Sequence, residues 1–274
     1  MAEPIIATKR AIEEIYDSAA ARYDRTGPSF FWRFGARLVE LLAIAPGACV
    51  LDVGTGTGAV LIPAAQRVGT RGRVVGVDLS SGMLQEAERA ARAAGLANFE
   101  LHKMDAERLE FPDASFDVAS CGFTLSFLPA MDVALREMRR VLKPGGCIGV
   151  TLWGKAPFHP AWKMLADSVR AYGVEVRMPQ KIAYAPEEIQ ALLAAAGFIG
   201  IETRSETSDI VYASEEDWWA FQLTMGSRAA IYRMDDETRA RFKEEYLAKL
   251  RPLFRADGLH LPAPVVYALA RNRM

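Results

Sequence analysis

The sequence predicts an α/β domain built on a parallel, Rossmann-like sheet. Short apolar segments alternate with segments of helical periodicity through the middle of the chain, which is the pattern of consecutive βαβ units. A glycine-rich turn follows the first predicted strand, and an acidic residue ends the second. With 274 residues, of which 51% are hydrophobic and 24% charged, the chain is long and apolar enough to bury a substantial core.

Seven strands are predicted from short apolar runs bounded by turn residues. The first five alternate with helical segments, and the seventh is expected to close the sheet at the C-terminus. In chain order they comprise residues 49–53, 73–78, 99–103, 116–121, 147–152, 199–203 and 264–270.

Helical periodicity and helix-end signals predict the helices between these strands. Ser80 or Ser81 can accept from the first free backbone amides of one helix, and Gly95 tolerates the left-handed conformation that ends it. The turn 143–146 separates another helix from the fifth strand, since proline presets a turn and glycine permits positive φ. The predicted helices comprise residues 57–68, 80–95, 131–142 and 186–196.

Two segments, 154–185 and 213–261, interrupt the α/β alternation. We interpret them as insertions after the fifth and sixth strands. Because loops at the carboxyl ends of parallel strands form the ligand crevice, these insertions are expected to cover a bound substrate as a lid. The predicted organisation is an N-terminal helical segment at 1–45, a core at 46–212, a helical lid at 213–261 and a closing strand at 262–274.

Composition and charge argue against several other classes of protein. Lys and Arg number 33 and Asp and Glu 34, so the net charge of −1 offers no field that would attract nucleic acid or an anionic membrane. No apolar stretch is long enough to span a bilayer, and the N-terminus lacks a signal-peptide pattern. Cys49, Cys121 and Cys147 form no CxxC pair, which favours a cytoplasmic location and argues against a disulfide or zinc scaffold.

The turn Asp52-Val-Gly-Thr-Gly-Thr-Gly58 is the strongest functional motif. Its glycines let the backbone approach a ligand closely, and the following helix offers free amides to an anionic group. The turn also satisfies the looser GxGxxA dinucleotide pattern, with Ala59 in last place. Asp52 would repel a pyrophosphate, however, and suits a ligand that carries an ammonium and a sulfonium. Asp78 ends the second strand, where a carboxylate can accept from two ribose hydroxyls.

These residues resemble those of the class I S-adenosylmethionine (SAM)-dependent methyltransferases, and most closely the ubiquinone/menaquinone C-methyltransferase-like group. The resemblance extends from about Ile15 to Thr203, with the motifs in the family's order. Tyr23 matches the position that covers the methionine part of SAM in the family; a simple amphipathic helix with tyrosines at its edge is the alternative for this segment. The matching motifs are DxGxGxG at 52–58, the acid Asp78, Met-Asp-Ala at 104–106, FPDxxFD at 111–117 and LKPGG at 142–146.

The resemblance implies a Rossmann-like SAM-methyltransferase sheet of about seven strands with helices on both faces, an antiparallel last strand and a lid from the two insertions. It implies SAM as the cofactor, with Asp78 on the ribose and Asp105 accepting from the adenine amino group. The implied cofactor-binding residues are Tyr23, Asp52, Gly54, Thr55, Gly56, Thr57, Gly58, Asp78, Leu79, Met83, Met104, Asp105, Ala106, Gly122 and Phe123.

We expect the methyl acceptor to be a small, largely apolar or aromatic molecule. After the fourth strand, the segment 120–126 lacks the Asn-Pro-Pro-Tyr pattern of enzymes that methylate adenine or glutamine nitrogens. Carbon, oxygen and nitrogen acceptors all stay open, as does the oligomeric state. Phe158, Trp218, Trp219 and Phe221 are the candidate substrate contacts, and packing of a tryptophan into the core is the alternative.

His159 and His260 are the candidate general bases, because an imidazole titrates in the useful range. His159 lies in the loop that leaves the fifth strand, and His260 precedes the last strand; a surface position is the alternative for each. With His102 they are too scattered in sequence to suggest a metal site. The predicted reaction is in-line methyl transfer from SAM, and the alternatives are an NAD-dependent oxidoreductase and a non-catalytic binding protein with the same fold.

Overall fold

The computed structural model describes residues 9–174 and 181–273. Eight strands in these residues form one sheet. They are β1 (Cys49–Val53), β2 (Arg73–Asp78), β3 (Phe99–Lys103), β4 (Phe116–Gly122), β5 (Leu142–Trp153), β6 (Ile199–Tyr212), β7 (Phe254–Arg255) and β8 (Gly258–Arg271). The sheet order is β3-β2-β1-β4-β5-β8-β6, and the short β7 pairs with β8. Strands β1 to β5 are parallel, whereas β8 runs antiparallel to both of its long neighbours.

The helices lie on both faces of the sheet. They are α1 (Lys9–Ala19), α2 (Phe30–Leu42), α3 (Leu61–Val68), α4 (Ser81–Ala93), α5 (Met131–Val141), α6 (Ala161–Ala171), α7 (Pro186–Ala195), α8 (Glu215–Gln222), α9 (Arg228–Ile231) and α10 (Asp236–Leu250). One apolar cluster joins α2 and α3 to the later helices α6, α8 and α10, and a second cluster packs α5 and α7 on the opposite face. None of the described helices has the length and apolar character that a membrane span requires.

The predicted starts of α3 and β5 differ from the structure. α3 begins at Leu61 instead of residue 57, because Gly56 and Gly58 adopt φ values of 53° and 95° and keep this part of the loop out of a helix. β5 begins at Leu142, so the predicted turn 143–146 forms the irregular start of a strand. Its pairing with β4 shifts register between Phe116 and Val118, which accommodates the extra residues.

The antiparallel ribbon of β6 and β8 is longer than the sequence indicates. It runs from the pair Ile199 and Arg271 to the pair Tyr212 and Leu259. The sequence predicted only residues 199–203 of β6. The polar run 202–209 lacks the apolar residues that indicate a strand, because many of its side chains are exposed. Helices α8, α9 and α10 follow Tyr212, and the chain rejoins the sheet at Phe254 in β7, before residue 261. Of the predicted segments, residues 1–8, 175–180 and 274 lie outside the described residues.

Candidate active site

One cavity lies at the carboxyl ends of the parallel strands, under α1 and α2. The loops after β1, β2, β3 and β4 meet there, as the topology of a parallel sheet requires. Most of the cofactor residues implied by the sequence therefore lie on the wall of one cavity. These are Tyr23, Asp52, Gly54, Thr55, Gly56, Thr57, Asp78, Leu79, Met83, Met104, Ala106, Gly122 and Phe123.

The glycine loop after β1 passes tightly against its neighbours and leaves open space on the cavity side. Gly54 has φ 67°, and a Cβ there would lie 2.1 Å from the Thr124 Oγ1 atom. A Cβ on Gly56, by contrast, would meet no atom within 4 Å. The Gly56 amide donates to the Asp78 Oδ2 atom at 2.9 Å, so the loop and the acid that ends β2 hold each other in place. The space beside Gly56 is where a ligand can approach the backbone.

Asp52 and Asp78 place two carboxylates in this half of the cavity. Asp52 accepts from the hydroxyls of Thr55 at 2.7 Å and Ser120 at 2.8 Å. Desolvation nevertheless raises the pKa of the Asp52 carboxyl to about 6. Burial also raises the pKa of Asp78, although its two oxygens accept from the amides of Ser80 and Gly56. A positively charged ligand would stabilise the ionised form of both buried carboxylates.

Asp24 is a third carboxylate on the cavity wall, and the sequence reasoning missed it. Its Oδ2 atom accepts from the Thr57 hydroxyl at 2.8 Å, and desolvation raises the pKa of its carboxyl to about 6. The residue has φ 56°, an uncommon value for a residue other than glycine. Asp24 directly follows Tyr23 in the sequence, and this position next to a candidate cofactor residue could have identified it. Three carboxylates around one cavity fit a ligand that combines positive charge with hydroxyl groups.

Helix α1 and the residues after it form the cover of this half. Asp17 accepts from the Ser80 hydroxyl at 2.6 Å and from the Gly82 amide at 2.9 Å, which fixes α1 to the start of α4. The Tyr16 ring packs edge-on against the Tyr23 ring at 6.1 Å. Both tyrosines line the cavity, so the cover contributes directly to its wall.

Two of the implied cofactor residues, Gly58 and Asp105, are not part of the cavity wall. Asp105 accepts from Lys9 Nζ at 2.6 Å and from the Glu107 amide at 2.9 Å. Its carboxylate is therefore engaged by α1 and by its own turn. The expected contact between Asp105 and an adenine amino group stays a prediction, and the ion pair with Lys9 competes with it.

A group of four aromatic side chains, here named the aromatic box, forms the other half of the cavity. The box consists of Phe31 and Phe34 from α2, Phe123 after β4 and Trp153 at the end of β5. The rings of Phe123 and Trp153 lie 4.5 Å apart, and those of Phe31 and Phe123 lie 5.3 Å apart. Helix α2 packs closely against the loop after β1 at Gly35. A Cβ at this position would lie 2.1 Å from the Ala59 carbonyl oxygen, so a residue without a side chain is needed there. Of the box, the sequence reasoning singled out only Phe123.

The predicted substrate contacts Phe158, Trp218, Trp219 and Phe221 are all buried, but none of them lines the cavity. The Trp218 Nε1 atom donates to the Tyr246 hydroxyl at 2.8 Å, and that hydroxyl donates to the Ala161 carbonyl oxygen at 3.1 Å. This network joins α8, α10 and α6. The four side chains form the core of the lid, so the alternative of core packing describes the two tryptophans better than substrate contact. Met225, which follows α8, is the lid residue on the cavity wall.

The two candidate bases also lie outside the cavity wall. The His159 side chain is exposed, two residues before the start of α6. The His260 Nδ1 atom lies 2.6 Å from Asp209 Oδ2, and its Nε2 atom lies 3.0 Å from Asp257 Oδ1. These acids raise the pKa of His260 and tie it to the β6–β8 ribbon. Within the described ranges, no group of His, Cys, Asp and Glu side chains is arranged to hold a metal ion.

Comparison with known proteins identifies a family. Residues 50–146 match the family model of a methyltransferase domain. The chain is 41% identical over 156 residues to aklanonic acid methyltransferase DauC of Streptomyces sp. (strain C5), covering 56% of this chain and 71% of that protein. It is 29% identical to nocamycin O-methyltransferase of Saccharothrix syringae, covering 94% of this chain and 98% of that protein.

A quinone-modifying enzyme and a solved structure extend the comparison. The chain is 30% identical over 215 residues to demethylmenaquinone methyltransferase of Geobacillus stearothermophilus, covering 72% of this chain and 92% of that protein. The crystal structure of the YcgJ protein of Bacillus subtilis superimposes with a TM-score of 0.60 at 20% identity, covering 88% and 99% of the two chains. At that identity the structural likeness supports the fold alone.

Proposed function

Because this chain belongs to the class I SAM-dependent methyltransferases, we propose that its acceptor is a small, flat, largely aromatic molecule that binds in the aromatic box. The enzyme transfers a methyl group from SAM, and we propose the identity of the acceptor that receives it. The observation that carries the proposal is the continuity of the box with the acidic half of one cavity. Four aromatic rings suit a flat apolar ligand, since such surfaces bury well against one another.

The acidic half of the cavity fits SAM, which supplies an electrophilic methyl group on a sulfonium when it is bound. In our proposal Asp78 accepts from the ribose hydroxyls, and the glycine loop surrounds the methionine part. Asp52 and Asp24 balance the positive charge of the ligand. Met104 and Ala106 then lie on the adenine side of the cavity, as the family resemblance implies.

The protein's contribution to catalysis is mainly positioning and the exclusion of water. Phe123 belongs to the box and follows β4 directly, so it adjoins the acidic half of the cavity. Such placement of an acceptor atom for in-line attack can supply up to roughly 7–11 kcal/mol in favourable models. The described cavity wall includes no histidine, so neither His159 nor His260 lies where it could act as the base in this proposal. Asp24 is the residue we propose for any proton that the acceptor must lose.

The names of two relatives support an acceptor that carries oxygen. One is named for aklanonic acid and the other as a nocamycin O-methyltransferase. We therefore favour oxygen over nitrogen as the methylated atom in this chain. We also propose that the enzyme works in the cytoplasm, since Cys49, Cys121 and Cys147 are free. We propose no nucleic-acid partner, because the net charge of −1 offers no field that would attract one.

Two matched variants test the proposal. Phe34 and Phe158 both pack against the Trp153 ring, at 6.0 Å and 5.2 Å, but only Phe34 lines the cavity. Acceptors would first be found by screening phenols, quinones, polyketides and amines with methyl-labelled SAM. Phe34→Leu should then lower kcat/KM for the acceptor by about 10-fold or more, whereas Phe158→Leu should chiefly lower thermal stability. Equal losses of kcat/KM in both variants, or transfer only to small polar amines, would contradict the proposal.

A further inference from the structure

Thr151 lines the cavity, and its buried side-chain hydroxyl has no hydrogen-bond partner among the described residues. Thr151 is 1% exposed and lies in β5, two residues before Trp153 of the aromatic box. Its Oγ1 atom makes no hydrogen bond to any described residue, although the residue lines the cavity. A buried hydroxyl that has given up water without gaining a protein partner destabilises the fold.

The sheet does not need this hydroxyl. The backbone of Thr151 is held by pairing with Gly122 on one side and Tyr267 on the other, and its carbonyl oxygen accepts from the Phe123 amide at 2.8 Å. Valine has nearly the same shape and would keep all of these contacts. The hydroxyl of Ser120, in the neighbouring strand, is satisfied by Asp52. Of the buried polar side chains that line the cavity, Asp52, Thr55 and Thr57 have hydrogen-bond partners. The Thr151 hydroxyl has none, and a ligand atom could supply the missing partner.

We propose that Thr151 recognises an oxygen atom of the methyl acceptor. The inference rests on the proposed function, because it takes the aromatic box as the acceptor site. It adds a substrate class: a flat aromatic molecule with a hydroxyl, carbonyl or carboxyl oxygen on the edge that faces β5. The Thr151 hydroxyl donates to or accepts from that oxygen. Because Phe123 and Trp153 flank Thr151 along the sheet end, this hydrogen bond fixes the rotation of the flat molecule within the box.

The test compares two probes of matched shape, 2-naphthol and 2-methylnaphthalene, on the enzyme saturated with S-adenosylhomocysteine. Binding would be followed by tryptophan fluorescence in the wild type, Thr151→Val and Thr151→Ser. The wild type should prefer 2-naphthol over 2-methylnaphthalene by about 3- to 10-fold, the range of one neutral hydrogen bond. Thr151→Val should remove this preference, and Thr151→Ser should retain it. Thr151→Val should also melt at the same or a higher temperature without ligand, since it removes an unsatisfied hydroxyl.

The outcomes separate this inference from the proposed function. If both probes bind but the wild type and Thr151→Val show the same preference, the role of Thr151 is overturned and the aromatic box stands. If neither probe binds any of the three proteins, the box as acceptor site and the role of Thr151 fall together. A lower melting temperature in Thr151→Val than in Thr151→Ser, with unchanged probe preference, would assign the hydroxyl to the fold instead of the ligand.

Discussion

At the scale of single residues, the charge of the cavity depends on Asp24 and Asp52. Burial raises the pKa of each carboxyl to about 6, above the value of about 3.9 in an unfolded chain. For such a group the protonated form favours the fold, so this contribution is present at low pH and is lost as the pH rises through about 6. A cationic ligand has the opposite preference, because it favours the ionised carboxylates.

This opposition predicts that SAM binds more tightly as the pH rises from about 5 to about 7. Calorimetric titrations across that range would measure the dissociation constant. Asp24→Asn should weaken SAM binding at pH 7 and reduce its pH dependence, since one of the two titrating carboxyls is gone. Asp209→Asn, on the β6 strand and away from the cavity, is the control and should leave the profile unchanged. A flat wild-type profile would show that neither carboxyl changes its charge on binding.

The glycine loop allows a second comparison at this scale. Gly56 and Gly47 both have positive φ, 53° and 83°, and a Cβ on either would meet no atom within 4 Å. Only Gly56 lines the cavity. Alanine at either position should cost roughly 1–2 kcal/mol of stability for its left-handed backbone. Gly56→Ala should in addition weaken the binding of S-adenosylhomocysteine strongly, whereas Gly47→Ala should not. Similar affinities in the two variants would place the ligand elsewhere.

Single residues differ in how far the sequence identifies them. Asp52, the loop glycines and Asp78 are contiguous with strand ends, so the parallel topology alone predicts that they meet. Phe31, Phe34 and Asp24 enter the cavity only because α2 packs against the loop at Ala59, as the close approach at Gly35 shows. No local pattern encodes that long-range packing. The sequence therefore favoured the aromatic residues of the lid, which are equally apolar but buried in its core.

At the scale of elements, the lid is held together by a buried polar network. The Trp218 indole in α8 donates to the Tyr246 hydroxyl in α10, which donates to the Ala161 carbonyl oxygen at the start of α6. The first hydrogen bond lies within the insertion after β6, and the second joins that insertion to the one after β5. We therefore expect the three helices to lose stability together when the network is broken.

Tyr246→Phe tests this expectation, because it leaves the Trp218 indole N–H buried without an acceptor. Chemical denaturation should show a loss of about 1–3 kcal/mol. The double variant Trp218→Phe, Tyr246→Phe should cost less than the sum of the two single changes, since it removes both partners. Affinity for S-adenosylhomocysteine should stay close to that of the wild type. Strict additivity of the two changes would mean that the hydrogen bond does not stabilise the lid.

Among the elements, the sequence predicted β1, β2 and β3 at the ends where the structure has them. Their apolar runs are bounded by turn residues, and their neighbours in the sheet are close in sequence. The β6–β8 ribbon is different, since exposed polar side chains cover one of its faces and its pairing joins distant residues. Its length is set by that pairing, which a local pattern of hydrophobicity does not register.

At the scale of the whole molecule, the two halves of the cavity have different origins. The acidic half comes mainly from residues 50–146, the segment that matches the methyltransferase family model. Phe31, Phe34 and Trp153 of the aromatic box lie outside that segment. This division explains why motifs identify the cofactor and the reaction, while the acceptor has to be inferred from the shape and chemistry of the box.

The acceptor that we propose for this methyltransferase is a flat aromatic molecule that carries oxygen. The most direct measurement is mass spectrometry after incubation with methyl-labelled SAM and an equimolar mixture of phenols, hydroxyquinones, aromatic polyketides and aliphatic amines. We expect one labelled methyl group on an aromatic compound that carries oxygen. The same product should be lost with Asp78→Ala, which removes the proposed ribose contact, and reduced with Phe34→Leu. Label found on the aliphatic amines, with none on the aromatic compounds, would show that the acceptor is not a flat aromatic molecule.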